Sequence, residues 1–184
     1  KDHQYDLAKE VLSEGKRSAL TQEKASALEA ELSRASGSGI SDRPAQSEID
    51  KLVAHYQGGQ HDQAKQLALS LTQRFPEHQF AWKVLGATLG ISGRNSEALN
   101  AHQTAVALSP SDAEAHNNLG VTLKKLGRID EAEASCRQAI ALKRDYAEAH
   151  YNLGNTLNEL GIIDRAAESY KEAVVLKDDY AEAH

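Results

Sequence analysis

A chain of 184 residues with 27 acidic and 21 basic side chains has a formal charge of −6 and no strongly basic segment, which argues against nucleic acid as its main ligand. Its single cysteine excludes an internal disulfide framework and a cysteine-based zinc site. With no apolar run near the roughly 18 residues of a membrane span and no charged-then-apolar leader, it reads as a cytoplasmic protein.

Residues 1–44 stand apart from the rest of the chain. A helix is expected over about 3–14, with Tyr5, Ala8, Val11 and Leu12 on one side and Gly15 as its stop. A second is expected over about 19–35, where Ala25, Leu28, Leu32 and Ala35 form a narrow stripe. The run SGSGISDRP, 36–44, is a flexible connector by composition. So thin an apolar stripe does not make these helices stable alone; they dock, pair with another copy, or fray.

From residue 45 the chain is periodic. The stretches 113–146 and 147–180 share 20 of 34 positions, and AEAH starts again at Ala181. Projected backwards, the period gives 79–112 and a divergent 45–78, with Gly59, Gly93, Gly127 and Gly161 in register and Ala64, Ala98, Ala132 and Ala166 likewise. A fixed 34-residue period without insertion marks a stack of helical units, each packing on its neighbours. Within 113–126, His116, Leu119, Gly120, Leu123 and Leu126 recur at helical spacing; within 129–142, Ile129, Ala132, Cys136, Ala139, Ile140 and Leu142 do. Small residues on both faces let two helix axes approach, Gly127 permits the reversal between them, and Asp130 is expected to open the second helix. Helices are predicted near 45–57, 61–74, 79–92, 95–108, 113–126, 129–142, 147–160 and 163–176, with no strand. The chain contains no Met and stops four residues into a fifth copy, which reads as a piece of a longer protein.

Trp82-x-x-Leu85-Gly86-x-x-Leu89, then Ala98-x-x-x-His102 and Pro110, resemble the tetratricopeptide (TPR) signature. Leu stands where Tyr is usual, His102 where Phe is, and Arg144 and Asp178 replace the closing Pro of later copies. The resemblance covers 45–184 and implies an all-α, right-handed superhelical solenoid of antiparallel helix pairs, with 1–44 as an N-terminal extension. It also implies a concave groove lined by the second face of each first helix.

No chemistry-bearing motif competes with that picture, and the chain reads as a non-enzyme without cofactor or metal. His116, His150 and His184 sit one period apart, on helices spaced on the order of 10 Å, whereas zinc draws its ligands to roughly 2 Å; they are packing residues. Cys136 occupies the place of His102 and Tyr170 on an apolar face, as a structural thiol does. Gly86, Gly90 and Gly93 lack the strand and the Lys-Ser/Thr of a phosphate loop, and Gly90 has no explanation from register.

On the groove face the candidates for binding a peptide or helix of a protein partner are Lys83, Asn117, Asn118, Val121, Lys125, Tyr151, Asn152 and Asn155. Asn118 and Asn152 share a helical position, and an amide side chain both donates and accepts, so a series of them grips a peptide backbone whatever its sequence. That resembles the asparagine ladder of O-GlcNAc transferase TPRs; a polar surface inherited by duplication explains the same residues more plainly. A clamp for acidic tails needs basic residues on successive first helices, which the fourth repeat lacks. The run RFPEHQFAWKVLGATL resembles repeats upstream of bacterial glycosyltransferase or sulfotransferase domains, which implies a non-catalytic, substrate-docking arm as the alternative. Self-association is expected too, through Ala166, Tyr170, Ala173, Val174 and Leu176 of the last helix or through residues 3–35.

Overall fold

A computed structural model describes residues 43–182, and these form eight helices and no strand. They are α1 (Gln46–Gln57), α2 (His61–Arg74), α3 (Gln79–Ile91), α4 (Asn95–Leu108), α5 (Ala113–Lys125), α6 (Ile129–Leu142), α7 (Ala147–Glu159) and α8 (Ile163–Glu182). The first seven match the predicted bounds to within one residue. The helices expected over 3–14 and 19–35 lie outside the described residues.

The eighth helix departs from expectation by running on to Glu182. Its tail KDDYAE is nearly the KRDYAE of 143–148, which makes the turn between α6 and α7. Neither stretch contains a Gly or Pro to force a break. At the earlier site Lys143 leaves the helix at φ −140°, ψ 98°, its ammonium sits 5.3 Å over the Tyr146 ring, and α7 packs behind. The neighbouring helix decides the conformation, as tertiary context commonly overrides propensity.

Each repeat folds back on itself at a glycine. Gly59, Gly93, Gly127 and Gly161 take φ of 71°, 75°, 74° and 76°, a region costly to residues with a Cβ, and each second helix starts two residues later. Asp130 does not cap α6, contrary to expectation: the capping position is Arg128, whose guanidinium reaches forward 2.6 Å to Glu131. Asp130 contributes only a first-turn charge, favourable to the helix dipole.

Inside a repeat the two helices meet on small residues. Ala64, Ala98, Ala132 and Ala166 are all buried. A Cβ on Gly86 would lie 2.5 Å from the His102 ring, one on Gly120 2.8 Å from Cys136 Sγ, and one on Gly154 2.6 Å from the Tyr170 ring. Gly90 has only Ala98 Cβ at 4.0 Å, and nothing in the structure explains it.

Between repeats a hydrogen bond clamps each junction. Trp82 Nε1 donates to the Pro76 carbonyl at 2.7 Å, and His116 and His150 Nε2 stand 3.0 Å from the carbonyls of Pro110 and Arg144. Because a carbonyl only accepts, both imidazoles carry their proton on Nε2. First helices also touch across repeats, α3 against α5 and α5 against α7, and so line the inner side of the curve.

Candidate binding groove

The inner face is built from the first helices, and its residues divide by register. Lys83 and Asn117 occupy equivalent places on α3 and α5, and both point at the next repeat rather than into the groove. Lys83 is 8% exposed; its ammonium donates to Asp112 Oδ2 at 3.1 Å and to the Glu114 carboxylate. Burial pulls this ammonium down, but the bonds to Glu114 and Asp112 more than offset it and hold its pKa above the ordinary lysine value. Asp112 is fixed in turn by Gln79 Nε2 at 2.6 Å and caps α5 by accepting from the Ala115 N–H at 3.1 Å.

Asn117 has no exposed surface at all. It donates to Glu148 Oε1 at 3.3 Å and accepts from Asn152 Nδ2 at 2.9 Å. Buried amides are costly unless bonded, so this pair serves the junction between repeats three and four. Lys83 and Asn117 therefore position the groove and do not line it. The usable signal in the sequence was a carboxylate 31 residues beyond each donor, Glu114 after Lys83 and Glu148 after Asn117.

The remaining candidates keep unfilled bonding capacity. Asn118 is half-buried, and its side-chain amide makes no hydrogen bond among the described residues. Asn152 spends one donor on Asn117 and retains its Oδ1. Asn155 accepts from the Tyr170 hydroxyl at 3.0 Å and retains its Nδ2. Tyr151 is 54% exposed with its ring 5.7 Å from that of Tyr170; Val121 is half-buried beside them in register, and Lys125 is exposed at the rim. Asn118 and Asn152 do not bond each other: Asn152 reaches diagonally to Asn117.

Charge at the centre of this face is negative. Burial first, then the Glu148 and Glu114 carboxylates, push the Tyr146 phenol up to about 12. Burial and the same two carboxylates raise Tyr56 as well. Since the Lys83 charge is already taken, the described residues of this face offer no free cation beside Glu114 and Glu148 to receive an acidic tail.

Comparison with known proteins bears on the class of the repeat. Family descriptions of the TPR repeat match 91–127, and those of the tetratricopeptide repeat match 53–78 and 111–183. The repeats are tetratricopeptide repeats. These matches show the repeat class. Curated proteins give no match to the chain. Among solved structures, this TPR array resembles a crystal structure of MamA at TM-score 0.67 and 19% identity, over 83% of this chain and 86% of that one. It resembles MamA 41-end from Desulfovibrio magneticus RS-1 at TM-score 0.66 and 19% identity, over 95% and 96%. It also resembles the second TPR of Spaghetti (RPAP3) bound to the HSP90 peptide SRMEEVD, at TM-score 0.53 and 24% identity, over 55% of this chain and 94% of that one. At such identities the likeness is one of fold. Among the described residues no side chains are grouped to hold a metal, and no helix is long and apolar enough to cross a membrane.

Proposed function

We propose that this TPR array is a protein–protein interaction scaffold that holds an extended peptide segment of a partner on its inner face. The observation that carries the reading is the run of amides with unfilled bonding capacity, Asn118, Asn152 and Asn155, on successive first helices beside the exposed Tyr151 ring. Amides bond a peptide backbone without regard to its side chains, and Val121 and Tyr151 give one apolar contact each. Lys125 stands at the rim. Glu114 and Glu148 turn away a strongly acidic segment, so the peptide held here differs in charge from the SRMEEVD carried by the RPAP3 domain. Peptides selected from a random display library on the wild-type protein, then titrated against Asn118→Ala/Asn152→Ala, test this. Each lost hydrogen bond costs about 1 kcal/mol, so the double variant should bind at least roughly tenfold more weakly, and Asn118→Ala alone, which leaves the Asn152–Asn117 bond in place, roughly fivefold more weakly with its stability unchanged. Equal affinity sinks the reading and leaves the amides as surface polar groups without a ligand.

A second reading makes the array the substrate-docking arm of a larger glycosyltransferase or sulfotransferase. It rests on the run RFPEHQFAWKVLGATL, 74–89, and agrees on the groove. A parent sequence with no such domain overturns it.

Self-association belongs to the proposal in altered form. Tyr170 is half-buried against Gly154 and bonded to Asn155, so the face left open on α8 is Val174, 58% exposed, and Val175. Light scattering across concentration, with Val174→Glu as the breaking variant, reads it. A wild-type protein that stays monomeric into the hundreds of micromolar excludes it.

A further inference from the structure

The last helix leaves open a face that its counterparts use. In earlier repeats one stripe of the second helix is covered by the first helix that follows: Leu99 clusters with Leu123, and Cys136 and Ile140 with Leu153 and Leu157. At the same register α8 carries Ala167, Tyr170 and Val174, with Ile163 in the place of Ile129. Spaced by four, three and four residues, these lie on one helical face. Ile163 is 59% and Val174 58% exposed, and Ala167 is exposed too, whereas Leu99 is buried and Ile129 and Ile140 are half-buried. Tyr170 lines the edge of the stripe, half-buried against Gly154.

The first helix of the array does not fit this stripe. Leu153 and Leu157 are the residues that α7 lays against the repeat before it; in α1 the same positions are Lys51, which is exposed, and His55, which is bonded to Gln60. A second copy stacked head to tail would press a lysine onto an apolar face. The stripe fits itself better. About a twofold axis crossing α8 between Ala167 and Tyr170, Ile163 meets Val174 of the other copy, and the small Ala167 meets the large Tyr170. Asp164 and Lys171 stand two turns apart along the open edge, both exposed and in no ion pair among the described residues. Antiparallel pairing brings Asp164 of each copy towards Lys171 of the other, twice over, while parallel pairing would set like charge on like.

We infer that α8 pairs antiparallel with α8 of a second copy of this chain, forming a closed twofold dimer. The inference rests on the self-association proposed above and adds its partner surface, its direction and its stoichiometry. An isologous contact uses up the same face on both copies, so assembly stops at two. From Ile163 to Val174 the seam runs about 17 Å, which makes the contact a small one and the dimer a weak one that forms as concentration rises.

Sedimentation velocity on the full chain reads the stoichiometry, and cysteine cross-linking reads the direction. The wild type should pass from monomer to dimer as concentration rises and go no further. With an added oxidant, Ile163→Cys mixed with Val174→Cys should give a disulfide-linked dimer, and the wild type, whose Cys136 is buried, none. Either variant alone should give at least roughly fivefold less, because antiparallel helices hold like positions about 17 Å apart along the axis. Lys171→Asp turns two attractions into repulsions and should weaken the dimer at least roughly fivefold, and Asp164→Lys/Lys171→Asp should restore it. All these positions are exposed, so the helical signal should stay constant throughout. Growth beyond two copies, self-linking of Ile163→Cys as ready as its linking to Val174→Cys, or indifference to the charge changes overturns the antiparallel pairing while self-association stands. A wild type that remains monomeric into the hundreds of micromolar removes both.

Discussion

Repeat one and the three repeats after it solve the same packing problem with the sizes exchanged. In repeats two to four the first helix offers glycine and the second a larger group: Gly86 with His102, Gly120 with Cys136, Gly154 with Tyr170. In repeat one the same two positions are Leu52 and Ala68, both buried in one cluster. The seam needs a fixed total volume at close approach, and either helix can supply it. What is not free is to change one side alone.

The largest effect should come from mixing the two solutions. Gly86→Leu puts the repeat-one residue against an unmoved His102 and should cost about 3 kcal/mol by overpacking; adding His102→Ala, which completes the repeat-one pair, should recover more than half. Denaturant midpoints of the single and double variants measure this, and equal losses would show that the seam is not exchangeable.

Nearly as large is the effect of pH on His102. Its ring is buried over Gly86, its Nδ1 has no partner among the described residues, and burial, with Lys125 adding to it, pushes its pKa from 6.5 down to about 4. The unfolded chain takes up this proton near 6.5 and the folded chain only near 4. Stability is therefore full above the upper value, declines as pH falls between the two, and levels off below, for a total of about 3 kcal/mol. His102→Cys, the residue of repeat three, should remove this limb from the difference between pH 7 and pH 4 melting curves.

Smaller still is the turn glycine: Gly127→Ala forces a side chain to φ 74° and should cost about 1–2 kcal/mol, although the space around it is open. At the bottom of the scale, Gly90→Ala should raise stability by about 0.5–1 kcal/mol, since this helical glycine meets nothing a methyl would strike. A loss at Gly90 as large as at Gly86 would erase the distinction between glycines that make room and those that do not.

The helices were legible because a 34-residue period repeats small residues, leucines and turn glycines in register, and the packing of one repeat constrains the next. The groove was legible only in part. A helical wheel places Lys83 and Asn117 on the same face as Asn118 and Val121, but the tilt of the following repeat covers their side, and no single helix contains that information. His116 and His150 were recognisable as packing residues, while their bond to a carbonyl six residues back depends on the turn between repeats. The end of α8 was hidden for the same reason, since KRDYAE and KDDYAE differ less than their surroundings do.

The two junction staples differ in a way that reaches the cooperativity of the whole array. A chain of units coupled only to neighbours unfolds as one body while every coupling is strong, and splits where one weakens. Repeats two and three are joined by Lys83 to Glu114, an ion pair whose acidic end is 57% exposed, whereas three and four are joined by the half-buried Asn152 amide donating to the buried Asn117. Salt weakens the first, at its exposed end, more than it weakens the amide bond of the second. Concentrated salt should therefore loosen the boundary at Asp112 first, and amide exchange on its two sides should then diverge.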